Sequence, residues 1–423
     1  MPTPNPHFKT LINTVIDTEV LDRVSGRLGE KPVEEFPLSK DKSMIKDKQK
    51  LPNLSGKVDN YNPSLYEGNI ENFIGLLQIP VGIIGPLRVN GVYANNDFYV
   101  PMATTEGALI ASYNRGAKVI SLSGGATVMC ISDSISRSPG FIFNDLVESS
   151  RFIAWCSENF ETFKKIVGTM TRYGRLQDIQ STHEGNYVFI SFHYFTGDAA
   201  GQNMITIATE AVCQFILDNS PVKPRKWYID GNMSGDKKAT ALSHLTGRGK
   251  KVLAEARIKK SIVKKYLHVT PRDIVQYSLM AMQGGIQSGS IGVNGHFANA
   301  LAALYLACGQ DVACVAESSI GTSRAELTDT GDLYVSISMP NMIVGTVGGG
   351  THLPTQKECL ELMGCYGQDK ARKLAEIFAV VAMAGEISIA AAMAAGHFTR
   401  AHSKYRRQTK NSAQSLDEYG CEI

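Results

Sequence analysis

From Ile377 to Ala395 the chain is almost wholly apolar and rich in alanine, and a single charge, Glu386, interrupts it. A segment of that length and hydropathy either spans a membrane or lies inside a protein. The interruption and the small side chains predict the second: a closely packed buried helix with a large domain wrapped around it.

The 423 residues are 43% hydrophobic and 20% charged, enough for a sizeable core and two or three domains. A net charge of +3 gives no sign of a nucleic-acid partner. The clusters Arg257 to Lys265 and Lys404 to Arg407 read as solvent-facing surface. The opening Met-Pro-Thr-Pro-Asn-Pro has the form of neither a signal peptide nor an anchor, so a cytoplasmic protein without a membrane segment is expected. Eight cysteines form no Cys-x-x-Cys pair, so reduced thiols and no metal site are expected.

Texture divides the chain. Residues 1–60 are polar, with one helical pattern at Phe8 to Leu28, and read as an arm or small helical cap. Residues 61–130 and 230–402 form a large, mostly helical domain, including helices over Asn299 to Cys308 and Ala375 to Ala395. Residues 131–229 alternate strand-like and amphipathic segments, with a strand at Val188 to His193 and a helix at Met204 to Leu217, and read as an inserted small α/β domain. Residues 403–423 are a polar tail. The class is α+β. A helix over 103–120, begun by Thr104 or Thr105 as N-cap, places Glu106 in its first turn.

Three runs of small and polar residues carry the chemistry: Pro-Met-Ala-Thr-Thr-Glu-Gly at 101–107, Asn-Met-Ser-Gly-Asp-Lys-Lys at 232–238 and Ala-Cys-Gly-Gln-Asp at 307–311. A carbonyl that accepts hydride gathers negative charge on oxygen, which a nearby lysine ammonium stabilises. Lys237 or Lys238 can fill that part. A carboxyl group beside such a lysine can deliver a proton while a second keeps the lysine charged, and Glu106 and Asp311 are the candidates. In isolation, Asp236-Lys237-Lys238 would read as a solvated turn.

Four further blocks accompany these runs: Glu-Asn-Phe-Ile-Gly at 71–75, Pro-Val-Gly-Ile-Ile-Gly-Pro-Leu at 80–87, Gly-Asp-Ala-Ala-Gly-Gln-Asn-Met at 197–204 and Gly-Thr-Val-Gly-Gly-Gly-Thr at 345–351. Together they resemble the 3-hydroxy-3-methylglutaryl-CoA reductases, in particular the class I catalytic portion, from about Tyr61 to about His402. The resemblance implies an NADPH-dependent four-electron reduction of an acyl-CoA thioester, to mevalonate and CoA for hydroxymethylglutaryl-CoA. It implies Glu106 as proton donor, Lys237 as oxyanion stabiliser and Asp311 as the group that tunes both. His402, in Gly396-His397-Phe398-Thr399-Arg400-Ala401-His402, becomes the acid that protonates the departing thiolate. A homodimer or homotetramer with shared active sites is implied as well, with 71–75 as the dimerisation segment.

No Gly-x-Gly-x-x-Gly follows a strand, so the cofactor fold is not Rossmann. The resemblance puts two NADPH per turnover on a ferredoxin-like inserted domain, against Asp198, Ala199, Ala200, Gly201, Gln202, Asn203 and Met204. Thr171 and Arg172 resemble the family's grip on the 2′-phosphate. A guanidinium is well shaped for that group.

By the same resemblance the acyl end meets Arg137, Asn232, Asp236, Lys238, His296 and Asn299. The chain departs from the pattern at two positions: Asp230 stands where a serine is expected, and a carboxylate-binding lysine falls at or beside Leu279. No Lys or Arg occurs anywhere from 273 to 323, so a shifted alignment does not restore that cation. The departures raise the alternative of a different acyl-CoA, neutral or amine-bearing at its far end. A non-catalytic homologue that binds acyl-CoA or NADPH is a further alternative.

Overall fold

A computed structural model describes residues 51–58 and 61–396. Most of the arm, including Phe8 to Leu28, and the tail with His402 lie outside the described residues.

Among the described residues, eleven strands form one connected hydrogen-bonded system. The hairpin β1 (Val81–Gly91) and β2 (Asn95–Ala103) precedes β3 (Ala126–Arg137). Next come β4 (Gly140–Ile142), β5 (Arg175–Glu184), β6 (Tyr187–Phe195) and β7 (Lys226–Tyr228), and then β8 (Gly249–Ile258), β9 (Gly292–Val293), β10 (Gly321–Leu327) and β11 (Leu333–Met342). β3 belongs to both halves: from Thr127 to Ser134 it pairs with β8, and from Ile135 to Arg137 with β6. β6 is flanked by β5 on one edge and by β3 and β4 on the other, and β4 pairs in turn with β7, all antiparallel. Arg137 therefore ends the strand that crosses from one half to the other.

Among the described residues, the helices of nine residues or more are α1 (Leu109–Leu122), α2 (Leu146–Glu158), α3 (Phe160–Met170), α4 (Gln202–Asn219), α5 (Pro271–Gln287), α6 (Phe297–Ala307), α7 (Pro354–Leu362) and α8 (Ala371–Ala394). The expected buried helix is α8. It is the one helix among the described residues long and apolar enough to cross a membrane, but 72% of its most apolar window is buried inside the fold. Small residues let α1 and α8 meet backbone to backbone. A Cβ at Gly116 would lie 1.8 Å from the Ala384 carbonyl oxygen, and one at Gly385 would lie 2.3 Å from Cε1 of Tyr113.

Two expectations need correction. The larger part is not mostly helical, because β8 and β11 run antiparallel through it over ten residues each. Val252, Ala254, Ala256 and Ile258 alternate inward along β8, the period of a half-buried strand. The helix after β2 starts at Leu109, not at Thr104 or Thr105. Thr104 Oγ1 accepts the Glu106 amide at 3.0 Å in a local turn, and Ala108 takes a left-handed φ of 69° as the helix N-cap. Glu106 thus sits in the loop ahead of the helix.

Candidate active site

The Asp-Lys-Lys turn follows from β7. Gly231 donates its amide to the Ser138 carbonyl at 2.7 Å, which lays the start of the loop along the end of β3. The turn closes where Lys238 donates its amide to the Gly235 carbonyl at 3.1 Å. Gly235 takes φ 73°, and Lys237 takes φ 56°, a left-handed conformation unfavourable for a side chain of that size. From there the Lys237 ammonium reaches Oδ2 of Asp311 at 2.9 Å.

Asp311 caps a short 3-10 turn, its Oδ1 accepting the Ala313 amide at 3.1 Å. Gln202, the first residue of α4, donates from Nε2 to Cys314 Sγ at 2.9 Å and to Asp311 Oδ2 at 3.4 Å. The start of α4 therefore touches the lysine–aspartate pair. The Asp311 hydrogen bond raises the Lys237 ammonium above its ordinary pKa, against a smaller desolvation effect. With 45% of the lysine and 39% of the aspartate side chain exposed, the pair is charged, fixed and open to a ligand.

A network of alternating charge underlies the turn. Arg137 Nη1 contacts Asp230 Oδ2 at 2.5 Å and Asp236 Oδ2 at 3.2 Å. The other oxygen of Asp236 faces Arg248 Nη2 at 3.2 Å. Arg248 and Glu317 form a fully buried pair at 2.7 Å. Asn232 donates its amide to Asp230 Oδ1 at 2.7 Å, and exposed Lys238 donates to the Asp236 carbonyl at 3.0 Å. The Arg137 guanidinium is thus held by carboxylates of the protein itself.

A second cluster surrounds His296, at the start of α6. Glu386 of α8 accepts the amides of Gly295 at 2.7 Å and His296 at 2.8 Å, and its Oε1 lies 3.3 Å from His296 Nδ1. Tyr113 of α1 stacks on the imidazole, with ring centroids 5.5 Å apart. Burial, then the charges of Glu386 and Glu106, push the Tyr113 hydroxyl well up. Asn299 donates its amide to the His296 carbonyl at 3.0 Å. Leu279, 55% exposed on α5, lines no part of either cluster's hydrogen bonding. Among the described residues no hydrogen bond or ion pair joins Glu106 to Lys237.

The segment 197–204 leads into α4 through Gly197 (φ 63°) and Gly201 (φ 78°). A Cβ at Gly345 would lie 2.5 Å from the Ala200 nitrogen, so the Gly-Thr-Val loop packs directly on this segment. The Ala199 carbonyl accepts Thr196 Oγ1 at 2.9 Å. Asp198 is already engaged: its two oxygens accept the amides of Asp369 at 2.8 Å, Lys370 at 3.1 Å and Ala371 at 3.0 Å, so it caps α8. Thr171 Oγ1 accepts the Gly174 amide at 2.9 Å and lies 3.1 Å from Met204 Sδ. Arg172 and Asn203 are exposed beside them.

The hydroxymethylglutaryl-coenzyme A reductase family pattern matches residues 39–407. The chain belongs to that family. It is 46% identical to the 3-hydroxy-3-methylglutaryl-coenzyme A reductase of Aeropyrum pernix over 344 residues, 80% of this chain and 82% of that one. Against the reductase of that name from Methanocaldococcus jannaschii it is 44% identical over 344 residues, 80% of this chain and 85% of that one. In fold it is similar to the 3-hydroxy-3-methylglutaryl-coenzyme A reductase of Streptococcus pneumoniae, with TM-score 0.67 at 18% identity, covering 83% of this chain and 95% of that one. A structure of the class II reductase of the same organism, described as bound to NADPH, gives TM-score 0.65 at 19% identity, with 83% and 95% covered.

In this member of the reductase family, Lys237 and Asp311 stand together, His296 stacks on Tyr113, Glu106 lies in the loop ahead of α1, and His402 lies outside the described residues. Sequence reasoning passed over Arg248, Glu317 and Tyr113, and read Glu386 only as the charge that interrupts the buried helix. Gly-Arg-Gly at 247–249 and a lone glutamate after Asp311 were the available signals.

Proposed function

We propose that this chain is an NADPH-dependent reductase of 3-hydroxy-3-methylglutaryl-CoA, converting the thioester to mevalonate and CoA in a four-electron reduction. The observation that carries the reading is the Lys237 ammonium held 2.9 Å from Asp311 where α4 begins. The lysine meets the thioester oxygen and stabilises the charge that develops there. Asp311 keeps the lysine protonated and in place. Glu106 delivers the proton to that oxygen, and His402 protonates the departing thiolate.

NADPH fits the region between α4 and the glycine loop. The first amides of α4 have no partner within the helix, Gly201 opens the backbone there, and Arg172 stands exposed nearby. Thr171, Arg172 and the backbone of 199–204 would hold it, with the Asp198 side chain serving the fold. Bound there, NADPH supplies hydride in each of the two reduction steps. Residues 131–229 are the inserted cofactor domain, read as ferredoxin-like because β5, β6, the β3–β4 strand and β7 lie side by side antiparallel. Residues 61–130 and 230–402 are the acyl-CoA-binding part. The motif blocks favour class I.

Sites shared between subunits of a homodimer or homotetramer are part of this reading. Ile74 is 93% exposed and Leu77 87% exposed in and beside the expected dimerisation segment. The test is NADPH oxidation with hydroxymethylglutaryl-CoA, which Lys237→Ala abolishes while NADPH binding persists. Undiminished turnover in that variant overturns the assignment.

One observation favours a second reading. Arg137, expected to hold the acyl carboxylate, is paired with Asp230. A substrate whose far end is neutral or amine-bearing leaves that pair intact. Turnover of such an acyl-CoA, with none of hydroxymethylglutaryl-CoA, would decide for it.

A further inference from the structure

Glu317 lies on the short helix Val315–Ser318 just past Asp311, and its side chain is fully buried. Both its oxygens meet Arg248 Nη1, at 2.7 and 2.8 Å. Oε1 also accepts the backbone amide of Lys237 at 3.1 Å. From the other end of the guanidinium, Nη2 faces Asp236 Oδ1 at 3.2 Å. Two consecutive residues of the turn, one through its side chain and the next through its main chain, therefore rest on a single buried ion pair.

Burying two charges carries a large desolvation cost, and such pairs are weak evidence for added stability. Placing the turn is a better account of this one. Lys237 holds the left-handed φ of 56° that aims its side chain at Asp311, and the amide of that same residue is what Glu317 accepts. Without the acceptor, a part-buried N–H loses its partner and the turn is free to relax toward right-handed φ, carrying the ammonium away. Burial raises the Glu317 carboxyl, and Arg248 opposes that rise first among the compensating groups.

We propose that Glu317 and Arg248 are positioning residues that seat the Asp236–Lys237 turn and so place the Lys237 ammonium. The inference rests on Lys237 being the oxyanion stabiliser, and its test separates the two ideas. Two variants are compared with Lys237→Ala. Glu317→Asp keeps the charge for Arg248 but shortens the reach to the Lys237 amide. Glu317→Leu/Arg248→Met replaces the pair with apolar residues of similar size, a change that folds often tolerate.

In both, kcat is expected to fall about 10- to 100-fold, the scale of a misplaced catalytic group, with NADPH affinity within about twofold of the parent. Competitive acetylation of Lys237 against pH, read by mass spectrometry, should show its titration dropping to that of an ordinary lysine. Loss of folding alone would not produce that change in a protein that still binds NADPH. Parental kcat and parental Lys237 titration in a folded double variant overturn the proposal, provided Lys237→Ala is inactive. Activity in Lys237→Ala would instead overturn the oxyanion assignment.

Discussion

The ammonium of Lys237 and the carboxylate of Asp311 lie 2.9 Å apart, both partly exposed, and Gln202 from the start of α4 reaches the same carboxylate oxygen. The pair joins a turn after β7 to the loop after α6. A ligand at the start of α4 therefore comes within reach of the charge that the lysine supplies.

The Asp311 hydrogen bond raises the Lys237 ammonium above its ordinary value, so the charged form persists to higher pH than in an isolated lysine. Under the proposed oxyanion role of Lys237, activity would depend on that charged form. In Asp311→Asn the alkaline limb of the pH profile of kcat/KM is expected to move to lower pH, with kcat down about 100-fold as for lost preorganised donors. An unmoved limb would show that Asp311 does not set the lysine's titration.

Asp230 Oδ2 lies against Arg137 Nη1, and under the proposed role of Arg137 in holding the acyl carboxylate the two carboxylates would compete for it. Asp230→Ser is expected to lower KM for hydroxymethylglutaryl-CoA about tenfold, the scale of one charge-assisted hydrogen bond, with little change in KM for acyl-CoAs lacking the carboxylate. Equal effects on both substrate types would remove Arg137 from recognition of the acyl end.

Burial pushes the Glu376 carboxyl up from 4.5 to about 7, although the amides of Ala94, Tyr93 and Cys130 pull the other way. Above pH 4.5 the unfolded chain has released this proton while the folded one still holds it, so its contribution to stability is full below that pH and is lost as pH rises to about 7. Denaturant unfolding across this window should show the wild type losing roughly 3 kcal/mol relative to Glu376→Gln. Parallel curves for the two proteins would contradict the assignment.

A Cβ at residue 385 would lie 2.3 Å from Cε1 and 2.5 Å from Cζ of Tyr113. Gly385→Ala should cost about 1–3 kcal/mol by overpacking, read as a lower Tm. Because the displaced ring stacks on His296, KM for acyl-CoA is expected to rise as well. A silent substitution would mean that α1 and α8 separate easily.

What the sequence made legible was local. The small residues between Ile377 and Ala395 announced the buried helix, and the alternation of Val188 to His193 announced β6. Lys237 and Asp311 were found as candidates because each stands in a dense block of small polar residues. The start of α1 was misplaced because Thr104 does accept the amide of Glu106, but in an isolated turn that mimics a helix cap. Asp198 was placed against the cofactor by the resemblance of its block, whereas its hydrogen bonds to the amides at the start of α8 depend on a segment distant in sequence. Arg248 and Glu317 carried only slight local signals, and the ion pair that joins them spans 69 residues of sequence. Strands β8 and β11 show the period of two, but the alanine-rich helices over Asn299 to Cys308 and Ala375 to Ala395 dominated the reading of the larger part.

The measurement that tests the central claim most directly is the ratio of NADPH oxidised to CoA thiol released with hydroxymethylglutaryl-CoA. A four-electron reduction consumes two NADPH for each thiol, with mevalonate as product. A ratio of one, or no oxidation with this substrate while another acyl-CoA turns over, would contradict it.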